Sequence, residues 1–147
     1  MRRPIAFLLF LCGTTLAVNA ADWIADQRTG CRLWNNYPAD GESIEWNGPC
    51  INGMGDGRGV LRWFSANGNF ETAEGEFRDG KLNGHAVITD TSGRFEGQFR
   101  NNKPNGYGTY RNTAGEVFSG DWTNGCFAQG NRRAYFFTTQ QECGFDA

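Results

Sequence analysis

The sequence predicts an all-β fold, an antiparallel meander of stacked β-hairpins whose two ends are tied by disulfide bonds. A glycine-rich unit recurs at spacings of 27, 22 and 23 residues. Within each unit, aromatic and glycine residues alternate with polar ones, which is the period of a strand that buries one face. Cysteines flank the repeated region on both sides, and no segment strongly indicates a helix.

The first 20 residues have the features of a secretory signal peptide. Two arginines precede an apolar run, and the small-residue pattern "VNA" at its end suits signal peptidase. The apolar run is shorter than the roughly 20 residues that a membrane span needs. We therefore expect cleavage after Ala20 and a soluble mature chain that is periplasmic or secreted.

The charge argues against nucleic acid and anionic lipid as ligands. The chain has 14 Lys and Arg against 16 Asp and Glu, a formal net charge of −2. Because the predicted signal peptide contains two arginines and no acidic residue, the mature chain carries −4. A mildly acidic chain is poorly suited to wrapping nucleic acid, and no polybasic run is present to hold it on an anionic membrane.

An internal repeat organises most of the chain, because the stretches that begin "WNGPC", "AEGEF", "FEGQF" and "FSGDW" align without gaps. The alignment equates Gly48, Gly75, Gly97 and Gly120 in the strand; Cys50, Phe77, Phe99 and Trp122 two residues later; Gly53, Gly80, Asn102 and Gly125 in the turn; and the pairs Gly57 and Gly59, Gly84 and Ala86, Gly106 and Gly108 after it. Such a period indicates small units that stack because none can bury its apolar face alone.

Side-chain parity gives each hairpin two faces. In the hairpin of residues 95–110, the residues on the aromatic face are Phe95, Gly97, Phe99, Gly106, Gly108 and Tyr110. Alternate residues such as Glu96 and Tyr107 fall on the opposite, polar face. Glycine normally weakens a strand, so we expect both glycines of each Gly-x-Gly pair to leave room for neighbouring rings.

The unit, F-x-G-x-F-x-x-G-K-x-x-G-x-G, resembles the MORN repeat, which implies a single elongated, twisted antiparallel sheet of stacked hairpins. The resemblance covers residues 46–130. Along the chain we assign a signal peptide at 1–20, an N-terminal cap at 21–45, repeats at 46–72, 73–94 and 95–117, a partial repeat at 118–130, and a C-terminal cap strand and tail at 131–147. The positions expected to carry the repeat structurally are Gly48, Gly57, Gly59, Gly75, Phe77, Gly80, Gly84, Phe95, Gly97, Phe99, Gly106, Gly108, Tyr110, Phe118, Gly120 and Trp122.

Four cysteines remain after removal of the signal peptide: Cys31, Cys50, Cys126 and Cys143. An even number in an exported chain favours disulfide bonds. Three pairings are possible, and loop closure favours the local one, Cys31 with Cys50 and Cys126 with Cys143. Buried free thiols are the alternative. The absence of a C-x-x-C motif argues against a metal site or a redox centre.

The sequence does not predict an enzyme, a cofactor or a metal site. The stretch "GEFRDGKL" matches the start of a phosphate-binding loop, but Leu82 stands where a hydroxyl is needed. His85 is the only histidine, and parity places it on the polar face. The carboxylates of Glu71, Glu74 and Glu76 are interpreted as solvated charges on that face, where nothing would raise their pKa for glycosidase chemistry.

The function predicted is a non-catalytic exported module that binds or scaffolds another protein. Two surfaces are candidates: a strip of the aromatic face that no second layer covers, and a patch of the polar face made of Tyr107, Arg94, Arg100 and Arg111. Binding to the cell envelope (peptidoglycan, glycan or phospholipid headgroups) is an alternative, and the family resemblance implies a link to phospholipid. A regulatory subunit of an envelope enzyme is a further alternative.

Overall fold

The computed structural model describes residues 20–145, and this part of the chain contains thirteen β-strands and no helix. The signal peptide predicted for residues 1–20 lies outside this range except for its last residue. The all-β prediction is confirmed. The strands are β1 (Asp22–Ala25), β2 (Arg32–Asn35), β3 (Ser43–Trp46), β4 (Cys50–Ile51), β5 (Met54–Gly55), β6 (Gly57–Phe64), β7 (Phe70–Arg78), β8 (Lys81–Thr89), β9 (Gly93–Arg100), β10 (Lys103–Asn112), β11 (Val117–Thr123), β12 (Cys126–Gln129) and β13 (Arg132–Tyr135).

Nine strands form one large antiparallel sheet, and four short strands form a second sheet. The order of the large sheet is β13-β12-β11-β10-β9-β8-β7-β6-β3, so each strand from β6 to β12 pairs with the next one along the chain. The order of the small sheet is β1-β2-β5-β4, with a parallel contact between β2 and β5 at Arg32 and Met54. The predicted hairpin meander is thus confirmed, and it is accompanied by a small sheet that the sequence did not indicate.

Two disulfide bonds tie the ends of the chain to the hairpins. Cys31, just before β2, is bonded to Cys50 at the start of β4, and their Cα atoms lie 5.9 Å apart. Cys126 in β12 is bonded to Cys143 in the C-terminal tail, with Cα atoms 5.6 Å apart. These are the local pairs that loop closure favours. The first bond explains the small sheet, because it holds the β4–β5 hairpin beside β2.

Tight two-residue turns connect the strands of each repeat. Both residues of each turn have positive φ, between 48° and 84°, as a type I′ hairpin turn requires. Glycine and asparagine tolerate this conformation better than other residues. The turns are Asn52-Gly53, Asp79-Gly80, Asn101-Asn102 and Asn124-Gly125, and the second residue of each is the turn position assigned from the repeat.

Successive turns are joined by backbone hydrogen bonds that repeat in phase. The Gly80 amide donates to the Gly55 carbonyl (2.8 Å), Asn102 donates to Leu82 (3.0 Å), and Gly125 donates to Pro104 (2.8 Å). In each case the acceptor lies two residues beyond the preceding turn. We call these three bonds the turn ladder. They hold the repeats in a fixed stagger along one edge of the large sheet.

The glycines of the Gly-x-Gly pairs have two different roles. The first members, Gly57, Gly84 and Gly106, have φ of 95°, 113° and 111°. A methyl group at these positions would meet the side chain of Pro49, Glu76 or Gln98, so none of them faces an aromatic ring. The expectation that they leave room for rings was wrong, because irregular strand pairing at Gly84 and Gly106 and the positive φ of all three require glycine instead.

The second members of the pairs do make room for rings. A methyl group at Gly59 would overlap the ring of Trp46, and one at Gly108 would overlap the ring of Phe95. Phe95 is fully buried, and its ring centroid lies 5.2 Å from that of Phe99 and 5.1 Å from that of Trp122. Edge-to-face contacts of this kind stabilise aromatic clusters beyond the burial of area alone.

The C-terminal segment supplies a second layer that the sequence analysis did not identify. After β13 the chain folds back over the aromatic face, and the Phe136 ring stacks on Phe95 at 5.3 Å and tilts against Tyr110 at 5.2 Å. Phe137 packs against Phe99 at 6.1 Å. This segment covers much of the aromatic face, which corrects the expectation that no second layer covers it.

A buried carboxylate anchors the N-terminal cap. Asp26 is fully buried after β1 and accepts a hydrogen bond from the Trp46 amide of β3 (2.8 Å). It also pairs with the Arg28 guanidinium at 2.8 Å. The hydrogen bond from Arg28 is the main cause that lowers the pKa of Asp26 to about 2. A charged group so placed fixes the cap against the edge strand of the large sheet.

We expect Gly97→Ala to destabilise the fold more than Gly115→Ala. A methyl group at Gly97 would overlap the backbone of β10, whereas one at Gly115 meets nothing within 4 Å and is strained only by its positive φ of 87°. Urea unfolding of the disulfide-bonded protein should show losses of about 3 and about 1 kcal/mol, respectively. Equal losses would contradict the close packing of β9 against β10.

Candidate functional site

The structure gathers three of the four residues predicted to form the polar-face patch. Arg94 and Arg111 lie opposite each other across the β9–β10 pair, and Tyr107 lies on the same face with 64% of its surface exposed. They line a depression of about 520 Å³. Arg100 lies elsewhere, beside the side-chain amide of Asn105. The predicted patch is therefore smaller than expected.

Several polar groups of this patch already have partners on the protein. The Arg94 guanidinium lies 2.8 Å from the Glu96 carboxylate, and His85 lies 3.6 Å from the same group. The Tyr107 hydroxyl is 3.1 Å from that of Ser119. Exposed ion pairs of this kind contribute little to stability. The polar face is therefore a solvated surface with weak local pairing.

An opening remains on the aromatic face, and we call it the inner groove. It has a volume of about 370 Å³ and lies between the N-terminal cap and the C-terminal segment. Its floor is Leu61, Ala73, Phe77 and Leu82; one side is Trp34, Asn35, Asn36, Tyr37 and Glu42; the other side is Phe137 and Thr138; and Gly80, Asn102, Trp63, Glu71 and Asp90 complete the lining. The predicted open aromatic strip is thus reduced to this groove.

The cap wall of the groove is attached to the turn ladder. The Trp34 amide donates to the Gly80 carbonyl at 2.8 Å. The Trp34 ring packs edge-on against Trp23, with centroids 5.0 Å apart, and the Lys81 ammonium lies 4.5 Å from its centroid. These contacts hold the wall in one position, because both the backbone and the ring are restrained.

The two caps meet at a single carboxylate. Glu142 in the C-terminal tail accepts hydrogen bonds from the Tyr37 hydroxyl (2.8 Å) and the Thr138 hydroxyl (2.7 Å), and Lys103 lies 3.8 Å away. The hydrogen bonds from Thr138 and then Tyr37 are the main causes that lower the pKa of Glu142 to about 2. This bridge joins the two sides of the groove. It spans 105 residues of sequence, and no sequence pattern indicated it.

Glu71 corrects the interpretation of the carboxylates as solvated charges. It shares the inner face of β7 with Ala73 and Phe77, because alternate residues of a strand point the same way. Burial in the groove raises the pKa of Glu71 to about 8, and the carboxylates of Asp90 and Glu42 act in the same direction. Parity was the signal that could have placed Glu71 in the groove.

A meander of hairpins with stacked turns and a cap at each end defines a β-hairpin repeat protein. Residues 51–68, 74–93 and 95–117 match the family model of the MORN repeat. The chain therefore contains MORN repeats, as the sequence resemblance indicated. A search of curated proteins found no match. MORN repeats generally serve as modules that bind proteins or membranes.

Among residues 20–145 there is no helix with the length and apolarity to cross a bilayer. The same residues contain no group of three or more His, Cys, Asp or Glu side chains placed to hold a metal ion.

We expect the stability of the protein to fall as pH rises from about 5 to about 8. Glu71 has its usual pKa of 4.5 in the unfolded chain and about 8 in the folded one, so its favourable contribution is complete below pH 4.5 and is lost through pH 8. We expect a loss of roughly 2 to 4 kcal/mol. The free energy of unfolding at each pH is measured by urea titration, with tryptophan fluorescence as the signal.

Glu71→Gln should flatten this pH profile, because glutamine does not titrate. Glu74→Gln is the matched control, since Glu74 lies on the same strand but is exposed on the polar face. Glu42 and Asp90, the other carboxylates of the groove, remain in both variants. An identical profile for the wild type and Glu71→Gln would show that Glu71 is not protonated in the fold.

Proposed function

We propose that this protein is an exported, non-catalytic MORN-repeat module that binds another protein by taking a segment of it into the inner groove. The observation that carries the proposal is the groove itself, a part of the aromatic face that the caps leave open. Its volume of about 370 Å³ falls in the range of sites that hold small molecules or side chains.

The chemistry of the lining suits a peptide segment. Indole and phenyl rings supply apolar area, and the side-chain amides of Asn35 and Asn36 supply polar groups at the cap wall. A groove that combines aromatic walls with a few polar groups can hold an apolar or amphipathic side chain and orient its backbone. The floor is rigid because it belongs to the hydrogen-bonded large sheet.

Export is supported by two independent features. The N-terminal sequence has the pattern of a signal peptide. Both disulfide bonds of the structure need an oxidising compartment to persist. We therefore place the proposed interaction in the periplasm or outside the cell.

Envelope binding is a second candidate, and the polar-face patch favours it. Arg94 and Arg111 are like charges directly opposite each other on neighbouring strands, which is unfavourable. Glu96 pairs with Arg94, and no ion pair to Arg111 is present in residues 20–145. A phosphate or carboxylate of the envelope would relieve that repulsion.

The protein-binding proposal is tested by crosslinking the mature chain to proteins of its native compartment. Asn36→Trp should fill the groove from its wall without disturbing the core, and we expect it to lower the recovery of any specific partner at least tenfold. Tyr107→Ala on the polar face is the control and should leave recovery unchanged. Recovery that depends on Tyr107 and not on the groove would contradict the proposal.

The envelope candidate is tested by cosedimentation with anionic vesicles and with purified peptidoglycan at low and high salt. If the polar face binds an anion, pelleting should fall when Arg94 and Arg111 are both changed to alanine, and it should weaken at high salt. If neither material pellets the wild-type protein, this candidate is excluded.

A further inference from the structure

We propose that the occupant of the inner groove is a basic side chain, the guanidinium of arginine or the ammonium of lysine, which pairs with Glu71. This inference rests on the proposed function, because the basic side chain would belong to the partner's segment. It names the chemistry of the ligand, which neither the MORN family nor the fold specifies. The inference depends on three observations: an unpaired carboxyl, a lining of one charge sign, and aromatic walls.

Glu71 is the one carboxyl of the groove without a partner in the described part of the chain. Glu42 accepts hydrogen bonds from the Asn35 side chain (2.7 Å) and the Ala39 amide (3.0 Å). Asp90 accepts from the amide (2.7 Å) and the hydroxyl (2.6 Å) of Ser92. No hydrogen bond or ion pair to the Glu71 carboxyl is present in residues 20–145. A carboxyl held in a groove without a partner leaves an acceptor for a group that enters from outside.

The groove has one sign of charge. Its lining contains three carboxyl side chains, Glu42, Glu71 and Asp90, and no lysine, arginine or histidine among the described residues. A concave site with low-dielectric walls concentrates the potential of such groups and attracts counter-charges. Lys81, over the Trp34 ring, and Lys103, beside Glu142, are not part of this lining.

The walls suit the rest of a long basic side chain. Trp63 is the strand partner of Glu71 across β6 and β7, so an indole ring lies beside the carboxyl. Trp34, Phe77 and Phe137 line the same space. The methylene groups of arginine or lysine pack on apolar surface while the charged end reaches a polar partner, and a guanidinium or ammonium is also attracted to the face of an indole ring.

Because partial burial raises the pKa of Glu71 to about 8, its carboxyl carries a proton near neutral pH. A cation that enters would favour the ionised form, so binding below pH 8 would release a proton. The affinity for a cation should therefore rise with pH, although the ligand itself keeps its charge. Glu42 and Asp90 face the same space, and both hydrogen-bond to the protein in the absence of a ligand.

The test uses N-acetyl-arginine methylamide as the probe and its citrulline counterpart, which has nearly the same shape and no charge. The mature protein is titrated at pH 6.5 and pH 9 while the indole N–H signals of Trp34 and Trp63 are followed by NMR. We expect a millimolar dissociation constant for arginine, binding of citrulline at least tenfold weaker, and binding of arginine about tenfold tighter at pH 9 than at pH 6.5.

Two variants test whether arginine binds at Glu71. Glu71→Gln should weaken arginine binding at least tenfold and remove its pH dependence, whereas Glu74→Gln should leave both unchanged. Equal affinity for arginine and citrulline, or no effect of Glu71→Gln, would overturn the proposal. Because pH and the uncharged probe are tested on the wild type, poor folding of a variant would not prevent a decision.

A glycan is the competing occupant, since aromatic and acidic side chains also suit sugars. Binding of N,N′-diacetylchitobiose at the same indole signals, with no binding of arginine, would overturn the cation proposal in favour of a sugar. The two proposals can be told apart by experiment. A partner that is recovered with the wild type and lost with Asn36→Trp would support protein binding even if arginine did not bind. Arginine binding without any groove-dependent partner would support the cation site and would contradict the proposed protein binding.

Discussion

The turn ladder determines the arrangement of the whole molecule. Each hairpin turn presents an amide to the carbonyl two residues beyond the preceding turn, at Gly80, Asn102 and Gly125. The geometry is reproducible because both residues of every turn have positive φ. The two caps attach to the same ladder, since Trp34 donates to Gly80 and Phe136 donates to Gly125. A repeated backbone bond therefore sets the stagger of the strands and the places where the ends of the chain cover them.

The inner groove follows from this attachment. It extends from the ladder residues Gly80 and Asn102 to Trp63 and Glu71 nearer the other ends of the strands. Both caps leave the same edge of the sheet, and they join through the Tyr37 hydroxyl and the Glu142 carboxylate. The space between them is the part of the aromatic face that remains open, and it contains a carboxyl that the fold does not pair. The backbone bonds of the turn ladder thus determine where the inner groove and its unpaired carboxyl lie.

The sequence predicted the features that recur at short range. Strand parity, the turn positions and the local disulfide bonds all follow from spacing within one repeat or one short loop. It did not predict that Phe136 and Phe137 cover the aromatic face, because that contact joins segments far apart in the chain. It also placed Glu71 in solvent, although parity with Ala73 assigns it to the inner face, because charged residues are usually exposed. The role of Gly57, Gly84 and Gly106 was predicted wrongly, because the spacing of residues in a sequence does not reveal which of them need a positive φ.

Amide hydrogen exchange is the most direct test of the turn ladder. The amides of Gly80, Asn102 and Gly125 lie in hairpin turns, where exchange is usually fast. We predict that they exchange as slowly as amides in the centre of β9, because they open only when the stack unfolds. Gly68 and Gly115 are controls, since their amides bond only within their own turns, to Ser65 and Asn112. Exchange of the ladder amides at the rate of these controls would contradict the account.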